Sequence, residues 1–84
     1  MRYYFITFRS VTYAQRGERA LASAGIRSTL QRTPRWMEEK GCGYCLRLWA
    51  AEPEAAVGIL RRMGVPMRRV YVQEPGGDLR EMNL

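Results

Sequence analysis

The segment Gly43-Tyr44-Cys45-Leu46-Arg47-Leu48-Trp49 alternates with period two, and in a chain of 84 residues that alternation constrains the fold more than any other feature. Tyr44, Leu46 and Leu48 must point to one side and Cys45, Arg47 and Trp49 to the other, so the segment reads as a strand. A second stretch, Arg2-Tyr3-Tyr4-Phe5-Ile6-Thr7-Phe8, is dense in aromatic and β-branched residues and reads as a buried, central strand. Arg69-Val70-Tyr71-Val72-Gln73 reads as another. Ile26 to Arg32 is a weaker candidate whose few apolar residues suit a sheet edge.

Helix signals fall between these strands. Ser10 or Thr12 can cap a helix on which Ala14, Gly17, Leu21 and Ala24 recur at helical spacing, and Gly25 suits the left-handed position that ends it. Glu52-Pro53-Glu54 starts a second helix, with acids near the positive end of its dipole. Its apolar face is Val57, Leu60 and Met63 beside Ala56 and Ile59, and Gly64 followed by Pro66 stops it. Thr33-Pro34 ends the weak strand, and residues 35–41 read as a loop or a short turn of helix.

The order strand, helix, strand, strand, helix, strand is that of a ferredoxin-like α+β sandwich, a four-stranded antiparallel sheet with both helices on one face. A right-handed crossover from the first strand to the second leaves room between them for the third. The first and third then become central neighbours running in opposite directions. We expect one domain over residues 1–74 and a loose tail over 75–84, where no periodicity is evident.

The chain carries a net charge of +6 and no histidine. The charge favours acidic partners or polyanions. No segment approaches the roughly 20 apolar residues of a membrane span, and Tyr3-Tyr4-Phe5-Ile6 is too short for a signal-peptide core, so a cytoplasmic protein is expected, without membrane partners. Thiols stay reduced in that compartment, and two cysteines three residues apart then point to metal, redox or carrier chemistry before a structural staple.

Both cysteines lie in Gly41-Cys42-Gly43-Tyr44-Cys45. A zinc site needs about four ligands, and one pair without histidine is half a set, so no metal is assigned. A thioredoxin-type pair would follow a strand and begin a helix, whereas this pair enters a strand. A carrier thiol holding sulfur or selenium as a persulfide or its selenium analogue needs one exposed, activated cysteine. In the ferredoxin-like arrangement Cys42 falls beside the end of the first strand, where Phe8-Arg9-Ser10 leads into the first helix. The helix N-terminus, Arg9, Lys40 and Arg47 would stabilise a thiolate there, and Gly41 and Gly43 leave the sulfur accessible.

The Tyr3-to-Phe8 opening with Ser10, the Thr33-Pro34-Arg35 turn and above all Gly41-Cys42-Gly43-Tyr44 followed by Leu46-Arg47 resemble the small-domain family of selenium/sulfur carrier protein-like proteins. The resemblance spans about residues 2 to 73, with the Cys-Gly-x-x-Leu-Arg core its most specific part. It implies a compact α/β domain in which Cys42 is the family's cysteine and Arg47 its basic position. It further implies a carrier that takes the atom from a donor protein, such as a cysteine desulfurase, and passes it to an acceptor, without cofactor and without turnover of its own. The sequence departs from the family pattern at Cys45, which is open to two readings, a resolving thiol or a packed side chain, with packing preferred.

A rival reading uses the sheet face opposite the helices. With the helices covering Tyr4, Ile6, Phe8, Tyr44, Leu46, Leu48, Val70 and Val72, the other face presents Tyr3, Phe5, Arg47, Trp49, Arg69 and Tyr71. Phe5, Trp49, Tyr71 and Arg69 would there form an open binding surface, for a second copy in a homodimer or, less favoured, for stacked nucleic-acid bases. The basic, glycine and aromatic pattern of an RNA recognition motif is missing from the third strand.

Overall fold

Seven elements follow one another along the chain: β1 (Arg2–Thr7), α1 (Val11–Ser23), β2 (Ser28–Arg32), β3 (Tyr44–Ala50), α2 (Pro53–Arg62), β4 (Val70–Gln73) and β5 (Leu79–Met82). They are seen in a computed structural model that describes residues 2–34, 43–50, 53–74 and 76–84. The five strands form one sheet in the order β2-β3-β1-β4-β5. Every neighbouring pair is antiparallel, with Phe5 opposite Arg47 and Thr7 opposite Cys45 in the central β1–β3 pair.

The alternation read from β3 holds. Leu46 and Leu48 join Tyr4, Ile6, Val70 and Val72 in a core closed by Ala14, Ala20 and Leu21 of α1 and Ala56, Val57 and Leu60 of α2. Both helices therefore lie on one face. Gly17 lets α1 approach the sheet, because a β-carbon at that position would stand 3.0 Å from Cζ of Phe8 and 3.2 Å from Cδ1 of Leu46. Both helices end in the same way: Gly25 and Gly64 have positive φ, and the next residue reaches back, Ile26 N–H donating to the Leu21 carbonyl and Val65 N–H to that of Leu60, each at 2.9 Å. Met63 is corrected by this geometry. It lies one residue beyond the last helical residue of α2 and is 56% exposed rather than on the apolar face.

The sheet has five strands where four were expected. Residues 79–82, assigned to a loose tail, pair with β4 from Val70–Met82 to Gln73–Leu79. Gly76 and Gly77 have φ near +100°, which reverses the chain, and Glu74 N–H donates to the Asp78 carbonyl at 2.6 Å. Met82 faces the helix-side core and Leu79 the opposite face, so the short strand is anchored on both sides of the sheet.

The Arg80 guanidinium clasps Glu74 across the turn, with Nη2 and Nε donating to Oε1 at 2.8 and 3.2 Å. That hydrogen bond, helped by the charges of Arg2 and Arg80 and opposed by partial desolvation, holds the Glu74 carboxyl below its ordinary value. A depressed folded-state pKa contributes stability above the unfolded value that disappears as pH falls through the folded one. We therefore expect the wild type to lose a small stability advantage over Glu74→Gln when the pH drops from the ordinary glutamate range to below it. Parallel thermal melts at several pH values check this, and a difference that grows on acidification would contradict it.

Candidate functional site

The end of the sheet at which β3 begins is built from the last residues of β1. Thr7 is tied to the entry of β4 by backbone and side chain: its N–H donates to the Arg69 carbonyl at 2.9 Å, and Arg68 N–H donates to the Thr7 carbonyl at 2.8 Å. The Thr7 hydroxyl accepts from Arg69 N–H at 3.1 Å. With Thr7 fixed, Phe8 turns inward and is completely buried, which sends Arg9 outward and leaves Ser10 to begin the helix.

Ser10 has an extended backbone, and its Oγ accepts from Tyr13 N–H at 3.2 Å. The amides of Val11 and Thr12 have no acceptor within the helix. The first turn holds no acidic side chain, so no carboxylate of the helix's own offsets the positive end of its dipole.

Gly43 enters β3 at the same end. It is buried, its φ of +84° lies in the left-handed region that side chains disfavour, and its carbonyl accepts from Thr33 N–H at 2.7 Å. Thr7 is opposite Cys45, so Gly43 stands two residues beyond the last β1–β3 pair, at the end of the sheet where β1 leads toward Ser10. Cys42, Gly41 and Lys40 lie outside the described residues.

Of the groups expected to surround the sulfur, Arg9, Ser10 and Gly43 fall at this end of the sheet by strand register, and Arg47 does not. Arg47 sits four residues along β3 from Gly43, about 13 Å at strand rise, opposite Phe5. Its guanidinium carbon lies 4.9 Å from the centroid of the Tyr3 ring. Tyr3 lies opposite Trp49, toward the far end of the strand, so the charge of Arg47 is directed away from Gly43. Strand register was enough to show this separation, since residues four apart cannot share one end of a strand.

Cys45 is completely buried and clusters with Phe5 and Tyr71 on the face opposite the helices, with Tyr3 and Leu79 packed alongside. That burial supports the packed reading and leaves the sulfur unavailable to a second molecule. It also corrects the expectation of an open sheet face. Phe5 and Tyr71 are only 6% and 5% exposed, so neither ring offers a flat surface to a base or a second copy. Arg69 donates through Nη1 to Glu81 Oε1 at 3.3 Å, an ion pair with β5 that a four-stranded reading could not foresee. Trp49 alone of the four remains open, 52% exposed and set edge-on to Tyr3 with ring centroids 4.4 Å apart.

Among the described residues no helix is long and apolar enough to cross a membrane. In comparisons with known proteins, a family model described as "Putative Se/S carrier protein-like" matches residues 3–72. Neither the curated proteins nor the solved structures compared contain a match.

Proposed function

The chain belongs to the Se/S carrier protein-like family, and from that premise we propose that it carries a sulfur or selenium atom on Cys42 between a donor and an acceptor protein. The observation that supports this reading most directly is the position of Gly43, covalently next to Cys42, at the sheet end where α1 begins with no acidic side chain in its first turn. Amide N–H groups and a helix dipole favour negative charge, and a thiolate is both the nucleophile and the form that such a field stabilises. Arg9 adds positive charge, as would Lys40, two residues before Cys42 in the sequence. The first four strands, in the order β2-β3-β1-β4 with both helices on one face, support a ferredoxin-like unit to which β5 is an addition.

In the proposed transfer the Cys42 thiolate attacks the outer sulfur of a donor persulfide. A sulfur–sulfur bond forms to Cys42, the bond within the donor breaks, and the donor cysteine leaves as a thiolate. The exchange is redox-neutral. The acceptor then takes the outer sulfur by the same step in reverse sense, returning Cys42 to the thiolate. The domain loads and unloads and turns over no substrate by itself, so it needs partners on both sides and no cofactor.

Intact-protein mass spectrometry after incubation with a persulfide donor tests the reading. Wild type and Cys45→Ala are expected to gain one sulfur that a thiol reductant removes, and Cys42→Ser to gain none. Loading that survives Cys42→Ser and vanishes in Cys45→Ala would overturn it.

A further inference from the structure

The last turn of α2, the entry to β4 and the end of β5 enclose a cleft of about 500 Å³ on the opposite side of β1 from Gly43. Val57, Val65, Val70 and Met82 line it together with Arg61 and Arg68. Antiparallel pairing puts it at the end of the sheet where β1 gives way to Ser10 and β3 begins. Glu81 is the cleft's acidic side chain and is engaged by Arg69. Among the described residues no carboxylate side chain pairs with Arg61 or Arg68.

We propose that this cleft docks an acidic, partly apolar peptide segment of a protein partner. Two observations carry the choice of occupant. The first is charge complementarity, because Arg61 and Arg68, which pair with no carboxylate side chain among the described residues, line the same cleft as Val57, Val65, Val70 and Met82, which suits a segment carrying both carboxylates and aliphatic side chains. The second is how the chain's own residues use the cleft. Leu84 packs against the core while Arg61 Nη2 donates to its carbonyl oxygen, so an aliphatic side chain and an oxygen acceptor are already accommodated together. Single-stranded nucleic acid fits less well, since among the described residues no aromatic ring lines the cleft and bases need a surface on which to stack.

This inference rests on the carrier reading for the identity of the partner, which is the donor or acceptor protein. Docking at the same end of the sheet would bring the partner's reactive sulfur to the Gly43 end without any need for the partner to grip the cysteine loop.

The probe is a short fluorescein-labelled peptide alternating Glu with Leu, followed by anisotropy. The double variant Arg61→Glu, Arg68→Glu is expected to weaken binding at least about tenfold. The double variant Arg16→Glu, Arg19→Glu makes the same change in net charge on α1 and should alter binding by less than about twofold. Equal losses in the two variants would show attraction to net charge alone and overturn the proposal. So would displacement of the peptide by a single-stranded RNA whose own binding is lost in the Arg61, Arg68 variant. Amide shifts in wild type on titration with the peptide supply a measurement that needs no variant, and they should centre on Val57, Val65 and Met82. Sulfur loading from a small inorganic polysulfide, which needs no docked protein, separates this inference from the carrier reading. Loading that fails while the peptide still binds the cleft sinks the carrier and leaves the docking site.

Discussion

Phe8→Ala should lower the unfolding free energy by about 3–5 kcal/mol, a large share of the roughly 5–15 kcal/mol that holds a domain of this kind together. The ring is completely buried, and its far edge fills the space that Gly17 leaves on α1. Removing it empties the seam between α1 and the central strands. Leu46, Phe8 and Gly17 meet there, and Phe8 is one of the two residues between the pinned Thr7 and the helix cap. The substitution should therefore loosen the Ser10 turn as well as the core. Urea denaturation measures the first effect, and amide exchange at Tyr13, whose N–H is held by Ser10, measures the second. A loss below about 1 kcal/mol would mean that Phe8 does not seat α1 on the sheet.

The two thiols should differ in alkylation rate by about a thousandfold or more. Cys45 has no exposed surface, so a reagent reaches it only when the sheet opens. An opening that costs about 4 kcal/mol slows modification about a thousandfold, because each 1.4 kcal/mol is a factor of ten. Native wild type is expected to take up one equivalent of iodoacetamide quickly. In Cys42→Ser the remaining thiol should react only at the slow opening rate, and denaturant should abolish the difference. Rapid modification of Cys45 in folded Cys42→Ser would show that the outer face opens readily, and would return the resolving role to that cysteine.

Much of the fold was legible because the informative residues act locally. The alternation from Tyr44 to Trp49 assigns each side chain to a face without reference to anything else, and the glycines at 25 and 64 end helices through their own backbone. The edge position of β2 followed from its scarcity of apolar residues. β5 was missed because Leu79-Arg80-Glu81-Met82 is too short and too charged to register as a strand on its own; it is held by pairing to β4 and by the Glu74–Arg80 clasp. The signal that could have found it was Gly76-Gly77, a pair suited to a hairpin between two extended segments.

The site was legible in part for a related reason. The element order put the start of β3 beside the end of β1, and the register agrees, with Thr7 opposite Cys45. It also assigned Phe5, Cys45 and Tyr71 to the face away from the helices, and that assignment holds. Alternation says which way a side chain points and nothing about what lies over it, so the burial of those three residues could not be read from it. The arginines illustrate the same limit. Arg47 and Arg69 are basic residues near the right positions in the chain, but one is drawn to Tyr3 and the other to Glu81 by neighbours that become adjacent only in the folded sheet.

A carrier thiol at Cys42 requires surroundings that favour negative charge. The rate of iodoacetamide alkylation of Cys45→Ala as a function of pH measures this directly, since the rate follows the thiolate fraction of the single remaining cysteine. An apparent pKa at least about one unit below the free-cysteine value of about 8.5, rising toward that value in Arg9→Gln, is the predicted result. A profile centred at or above about 8.5, unmoved by Arg9→Gln, would contradict it.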